Sequence, residues 1–226
     1  MNTQPDDRAT HPDDPTLRWG HSWKEADRVR EYVDRMDRQE AERHIVFELM
    51  AKLVPAEPDA HLRILDIGCG YGPVATVCLD ALPNSTAIGL DISEAMMEAG
   101  RPRMARFGDR FEYVLGDFAE GLLPQNAIAS GPYDLIVSAR AIHHLPANLM
   151  ASLYASIYGA LKPGGAFFNL DTASADGDFL EDLMRSVRRK ENGPRETPRT
   201  RSAQQTAHDA MHHHKDATLL KHMEWL

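Results

Sequence analysis

Short apolar runs alternate with amphipathic stretches through the centre of the chain. The runs have the length and the branched or aromatic content of buried strands, and they occupy 63–67, 86–90, 111–115, 133–138 and 166–170. Apolar residues at spacings of three and four predict helices over 74–82, 93–106 and 146–161. Strands that alternate with helices predict an α/β fold, with a doubly wound, mostly parallel sheet and helices on both of its faces.

The two ends of the chain have a different pattern. Residues 1–20 are rich in proline and aspartate and show no apolar period, so we expect a disordered or loose tail. Helical spacing over 21–57 predicts an N-terminal helical cap ahead of an α/β core at 61–170. After residue 170 the strand pattern stops, and 171–226 are expected to be helical and partly irregular.

Composition narrows the classes of function. The chain has 226 residues, 42% of them hydrophobic, and a formal net charge of −9, which disfavours nucleic-acid binding over its whole surface. Its two cysteines are too few for a disulfide framework or a four-thiolate metal site. No apolar run approaches the roughly 18 residues of a membrane span, and the acidic start does not resemble a secretory signal. We therefore expect a cytoplasmic protein with no membrane partner.

A buried strand runs directly into a glycine-rich turn at ILDIGCGYG, residues 64–72. Glycines at 68, 70 and 72 allow a tight turn and a close approach of a ligand to the main chain. Pro73 then suits the first position of a helix, whose N–H would be unpaired in any case. A dinucleotide fingerprint would need a small residue at 73, so this spacing indicates a nucleoside ligand without a pyrophosphate.

Acidic residues follow the next two strands of the pattern. Asp91 comes 25 residues after Asp66, where a carboxylate can accept hydrogen bonds from both ribose hydroxyls. Ile92 and Met96 offer an apolar surface for an adenine ring, and Asp117 can accept a hydrogen bond from its exocyclic amine. Acids at consecutive strand ends indicate a nucleoside site more strongly than a glycine turn alone.

Five motifs in order resemble the class I S-adenosylmethionine-dependent methyltransferases. They are ILDIGCGYG, GLDIS, GDF, YDLIVSARAIHHL and LKPGGAFF, and they cover about 63–170. The resemblance implies a Rossmann-like methyltransferase fold, S-adenosylmethionine as cofactor, and methyl transfer to an acceptor. It implies that the methionine and ribose part of the cofactor is lined by Asp66, Gly68, Cys69, Gly70 and Gly72.

The same resemblance assigns the remaining cofactor contacts. Asp91 would hold the ribose, Ile92 and Met96 would flank the adenine, and Asp117 and Phe118 would read its edge. Ser138 or Ala139 would lie near the amino-acid end of the cofactor.

His143 is the candidate catalytic base, because histidine changes charge near neutral pH and this strand end faces the cofactor in similar enzymes. Its neighbour His144 is the less favoured choice. Tyr32, Arg188 and Arg189 are candidate substrate contacts. The two arginines belong to a basic stretch at 185–201, which follows the fifth strand, where similar enzymes insert elements that cover the substrate. We expect no metal site, because the consecutive histidines at 212–214 would point in different directions on a helix.

Three functions remain open from these residues. The first is methyl transfer to an oxygen, nitrogen or carbon atom of a small, possibly anionic molecule. The second is methylation of a wobble-uridine carboxylate in tRNA. Some tRNA-modifying enzymes resemble this sequence in their N-terminal helix and HHLP motif, and the basic stretch could bind the tRNA backbone. The third is a partner subunit that binds cofactor without turnover.

The end of the chain departs from the family pattern. Similar methyltransferases have seven strands, the last two in an antiparallel hairpin, and nothing after residue 170 matches that hairpin. We therefore expect a core that lacks the hairpin and is shortened at its C-terminal end.

Overall fold

A parallel sheet of five strands organises the computed structural model, which describes residue 23 and residues 26–192 and 217–226, apart from the side chains of 40, 42, 188, 191 and 192. The strand order is β3-β2-β1-β4-β5, and every neighbouring pair is parallel. The strands are β1 (Arg63–Ile67), β2 (Thr86–Asp91), β3 (Phe111–Leu115), β4 (Tyr133–Ala139) and β5 (Leu161–Leu170). The expected doubly wound α/β fold is confirmed.

Helices connect the strands and flank the sheet. Short 3₁₀ turns occupy Ala105–Arg110 and Ile142–His144. The α-helices are α1 (Ala26–Arg38), α2 (Glu40–Lys52), α3 (Pro73–Ala81), α4 (Glu94–Met104), α5 (Gln125–Ala129), α6 (Ala147–Ala160), α7 (Asp178–Asn192) and α8 (Leu219–Trp225). Strands β2 and β3 follow β1 on one side of the sheet, whereas β4 and β5 lie on its other side, so a crevice opens at the carboxyl ends of β1 and β4.

Each face of the sheet covers its own apolar core. Successive strand residues point to opposite faces, so Ile64 packs with α2 and α3 while Leu65 packs with α6 on the other side. Asp66 breaks this apolar pattern, because it is a carboxylate that is fully buried near the carboxyl end of β1. Burial of a carboxylate is costly unless hydrogen bonds or an opposite charge compensate for it, and this one lies at the crevice.

The N-terminal helices lie against the crevice edge of the core. Val29, Val33 and Met36 of α1 pack with Tyr71 and Met96, so α1 lies against α4 and the glycine turn. The second helix, α2, packs mainly along α3. The predicted helical spacing therefore corresponds to two helices.

The C-terminal elements differ in how they meet the core. In α8, His222 Nδ1 lies 2.8 Å from the Tyr154 hydroxyl of α6, and Ala217 just before this helix is buried. In contrast, every described side chain of α7 is exposed. Among the described residues after β5, the only β pairing is an isolated bridge between Ser174 and Thr218, and no hairpin follows.

Two parts of the fold differ from the sequence pattern. β5 begins at Leu161 rather than at residue 166, because Pro163 and two glycines conceal the strand pattern while the backbone remains extended beside β4. The pattern also gave no indication of the five-residue helix α5. Within the part of the chain described, no helix is both long and apolar enough to cross a membrane.

Two helical glycines provide a matched test of the packing. A Cβ at Gly100 would lie 1.9 Å from the Tyr113 hydroxyl and 2.6 Å from the Tyr71 carbonyl oxygen, whereas one at Gly159 would meet nothing within 4 Å. We expect Gly100→Ala to lower the free energy of unfolding by about 1–3 kcal/mol through overpacking. Gly159→Ala should raise it by about 0.4–1 kcal/mol. Urea denaturation of both variants measures the two changes, and equal effects would contradict the packing around α4.

Candidate active site

The glycine turn after β1 is tied to the end of β2. Gly68 and Cys69 donate backbone hydrogen bonds of 2.8 and 3.0 Å to the carbonyl oxygen of Leu90. Gly68, Gly70 and Gly72 have φ values of 67°, 56° and 89°, a region in which other residues are strained. The three glycines thus allow a turn that side chains would oppose.

The three glycines face different surroundings. A Cβ at Gly68 would lie 2.3 Å from the Ala141 Cβ, and one at Gly72 would lie 2.7 Å from Met104 Sδ. At Gly70 the nearest atom is Met96 Sδ, at 4.0 Å. The turn is therefore packed by protein at its two ends and leaves space for a ligand at Gly70.

Asp91 connects this turn to the start of α4. Its Oδ2 accepts a 2.7 Å hydrogen bond from the Gly70 N–H, and its Oδ1 accepts a 2.8 Å bond from the Ser93 N–H. Burial raises the pKa of Asp91, although these backbone hydrogen bonds act in the opposite direction. Each carboxylate oxygen has a further lone pair, which a ribose hydroxyl could use.

Asp66 has one oxygen without a partner. Its Oδ2 accepts a 3.1 Å hydrogen bond from the Ala75 N–H, but its buried Oδ1 has no hydrogen-bond partner among the described residues. Burial, with the negative charge of Asp91 nearby, raises the pKa of Asp66 to about 7. An orphaned carboxylate oxygen beside a second buried carboxylate fits a ligand with positive charge and hydrogen-bond donors, and S-adenosylmethionine has both.

The predicted adenine contacts lie on both sides of the turn. Met96 is buried and Ile92 is half-buried, and the Met96 N–H is capped by Ser93 Oγ at 3.1 Å. The Phe118 ring lies 3.9 Å from the Cβ position of Gly68. Asp117 is exposed and accepts a 2.8 Å hydrogen bond from the Ala119 N–H, so its carboxylate is oriented by its own loop.

Three further predicted cofactor residues have structural contacts of their own. Ser138 is fully buried, and its hydroxyl donates a 2.9 Å hydrogen bond to the Ile67 carbonyl oxygen. Ala139 packs against the core below the crevice. Burial raises the pKa of the Cys69 thiol well above its ordinary value, which excludes a reactive thiolate near neutral pH.

His143 is paired with a carboxylate that the sequence pattern did not predict. Asp171 Oδ1 lies 2.5 Å from His143 Nδ1, and Oδ2 accepts a 2.9 Å hydrogen bond from the His143 N–H. Both side chains are largely shielded, with exposures of 12% for His143 and 5% for Asp171. Asp171 follows β5 directly, so the sequence could have indicated it as a further acidic residue at the end of a strand.

An aromatic group from the N-terminal segment lies beside His144, the neighbour of His143. The Trp23 ring packs edge-on to Tyr32, with centroids 5.0 Å apart, and lies 6.4 Å from the His144 ring. Ser93 Oγ donates a hydrogen bond to the Trp23 carbonyl oxygen. The structure thus brings Tyr32, a predicted substrate residue, toward the turn that contains His143.

The two predicted basic substrate contacts belong to α7. Arg189 is exposed on α7, and the side chain of Arg188 lies outside the described residues. The rest of the basic stretch, 193–201, and the histidines at 212–214 also lie outside them. Among the residues with described positions, no group of three or more potential ligands could hold a metal ion.

Comparison with known proteins identifies the class. A family model described as "Methyltransferase domain" matches residues 64–165. The demethylmenaquinone methyltransferase of Symbiobacterium thermophilum is 31% identical over 121 residues, which are 52% of this chain and 45% of that protein. The trans-aconitate 2-methyltransferase of Deinococcus radiodurans is 34% identical over 114 residues, 50% of this chain and 38% of that protein. The chain spans less than half the length of these curated relatives.

A solved structure agrees on the fold. An O-methyltransferase family protein from Burkholderia thailandensis superposes with a TM-score of 0.55 at 19% identity, over 71% of this chain and 49% of that one. Residues 64–165 therefore form a class I methyltransferase domain, the class whose cofactor is S-adenosylmethionine. The resemblance drawn from the motifs is confirmed, while the roles of individual site residues stay predictions.

The raised pKa of Asp66 predicts a pH dependence of stability. An aspartate in an unfolded chain has a pKa of about 3.9. Between that value and about 7 the folded protein retains a proton that the unfolded chain has lost. The free energy of unfolding should therefore fall as pH rises through this window, by up to about 1.4 kcal/mol per unit from this group.

Replacing the carboxyl isolates this contribution. We expect Asp66→Asn to show a smaller fall between pH 4.5 and 7 than the parent, measured by urea denaturation at several pH values. Asp117→Asn, at an exposed carboxylate, is the matched control and should follow the parent. Parallel curves for all three proteins would contradict a raised pKa at Asp66.

Proposed function

We propose that this chain transfers a methyl group from S-adenosylmethionine to an oxygen, nitrogen or acidic carbon atom of a small molecule, with His143 as the base. The observation that carries the proposal is the pairing of His143 with Asp171 at the crevice edge that also bears the glycine turn. Cofactor and base would then act on an acceptor held between them.

The chain's own residues fit the cofactor at the turn. Asp91 would accept hydrogen bonds from the ribose, and the side chains of Ile92, Met96 and Phe118 would flank the adenine. The open space at Gly70 would allow the cofactor to come close to the main chain. S-adenosylmethionine supplies an electrophilic methyl group on a positively charged sulfur. In-line transfer then depends chiefly on holding the acceptor atom close and collinear.

His143 would take the proton from the acceptor atom. The short contact of Nδ1 with the Asp171 carboxylate favours the tautomer with a proton on Nδ1, which makes Nε2 the accepting nitrogen. The main-chain hydrogen bond from His143 to the same carboxylate fixes the position of the ring. Asp171 is thus a positioning residue that acts through His143.

Small-molecule acceptors are favoured over tRNA by the relatives. Two of them are named for demethylmenaquinone and trans-aconitate, which are both small molecules. No observation in the described part of the chain favours a partner subunit without turnover.

Removing the Asp91 carboxylate should weaken cofactor binding. Hydrogen bonds to charged groups contribute about 1.5–3 kcal/mol, so we expect Asp91→Ala to weaken S-adenosylmethionine binding by about tenfold or more. Isothermal titration calorimetry with S-adenosylmethionine and S-adenosylhomocysteine measures the change. The control is Asp80→Ala, at an exposed carboxylate on α3. Unchanged affinity in a folded Asp91→Ala protein would exclude this site.

Loss of the base should separate binding from turnover. We expect His143→Gln to lower kcat by about 10²–10⁴-fold and to leave S-adenosylmethionine affinity unchanged. Asp171→Asn should lower kcat less, because the ring retains a partner but loses its preferred tautomer. Formation of S-adenosylhomocysteine with a panel of phenols, carboxylic acids and amines measures both effects. Full activity in His143→Gln would show that the acceptor needs no base from this residue.

A further inference from the structure

Arg140 has a strained backbone at the rim of the crevice. With φ at 57°, it is the one residue other than glycine in the left-handed region among those that the structure describes. This conformation is unfavourable for a residue with a Cβ, and glycine or asparagine would adopt it at lower cost. Arg140 directly follows β4, three residues before His143.

The surrounding structure imposes this conformation. The Arg140 N–H donates a 2.9 Å hydrogen bond to the Leu170 carbonyl oxygen, which extends the pairing of β4 with β5 by one residue. On one side, Ala141 fills the space at Gly68, and on the other, His143 is bonded to Asp171. The turn is therefore clamped between the glycine turn and the end of β5, and a strained residue so held is typical of functional sites.

The charge of Arg140 is unused within the described part of the protein. Its side chain is exposed, and its guanidinium makes no hydrogen bond or ion pair with any residue that the structure describes. Elsewhere, Arg103 forms two bonds of 2.8 and 2.7 Å with Asp37, and Arg106 pairs with Asp80 at 2.5 Å. Arg140 itself follows β4 at the carboxyl edge of the sheet, where Asp171 binds His143.

We propose that Arg140 binds a carboxylate group of the methyl acceptor and so selects anionic acceptors. The inference rests on the proposed methyl transfer and adds the class of substrate. A planar guanidinium can donate two parallel hydrogen bonds to a carboxylate, which fixes the orientation of the acceptor as well as its position. Glycine at position 140 would relieve the backbone strain, but it would remove the guanidinium that binds the carboxylate.

The first experiment measures binding rather than turnover. Protein saturated with S-adenosylhomocysteine is titrated calorimetrically with succinate, citrate and trans-aconitate, and with trimethyl trans-aconitate as the uncharged analogue. We expect at least one acid to bind and the ester not to bind. Arg140→Gln should lower the affinity for the acid by about tenfold or more, and Arg140→Lys should lower it less. Arg38→Gln, at an exposed arginine on α1, should change nothing.

The outcomes separate this inference from the proposed function. If S-adenosylhomocysteine fails to bind the parent protein, the proposed function is wrong and the inference falls with it. If it binds but no acid does, or if Arg140→Gln leaves acid binding intact, only the inference is overturned. An equal loss of S-adenosylhomocysteine affinity in Arg140→Gln would also overturn it, because the arginine would then bind the carboxylate of the cofactor.

A second variant distinguishes recognition from a structural role. Glycine adopts a φ of 57° without strain, so Arg140→Gly should keep or raise Tm while it weakens acid binding as strongly as Arg140→Gln does. A lower Tm together with intact acid binding would show that the arginine serves the fold and would overturn the proposal.

Discussion

The site depends on one buried carboxylate that holds two backbone segments together. Asp91 accepts hydrogen bonds from Gly70 in the turn after β1 and from Ser93 at the start of α4. Both bonds stabilise the arrangement, because buried N–H groups without a partner are costly. A ligand that binds here would add to an arrangement that the protein has already formed.

A second carboxylate has the same function on the other side of the crevice. Asp171 accepts hydrogen bonds from the main chain of His143 and Thr172, and it also contacts the His143 ring. Asp91 orders the half of the crevice built by β1 and β2, while Asp171 orders the half built by β4 and β5. The two halves meet where β1 pairs with β4 and where Ala141 lies close to Gly68.

Much of the fold could be predicted from apolar periodicity. β1 and β3 begin and end at the predicted residues, because their apolar runs are bounded by polar or turn residues. The start of β5 could not be predicted, because Lys162 and Pro163 interrupt the run and only the pairing with β4 keeps it extended. Helix α5 has five residues, too few for a helical period to be visible.

Individual residues of the site could be predicted from the sequence, but the contacts between them could not. Motifs indicate Asp91 and His143, but the partner of His143 depends on the register that places Ala139 of β4 opposite Leu170 of β5. The strain at Arg140 has the same origin, because a sequence shows neither φ nor the carbonyl group that fixes it. Strand register is a property of the assembled sheet, and so these contacts require the structure.

Tyr71 makes the glycine turn and the N-terminal helices one cooperative unit. This residue lies within the turn, yet its side chain is buried against Val33 of α1, and its hydroxyl accepts a 2.8 Å hydrogen bond from Arg43 of α2. Local opening of the turn would expose this apolar cluster, and detachment of α1 would release the turn. Amide hydrogen exchange in α1 should therefore slow when a ligand binds at the glycine turn, even where the ligand does not touch α1.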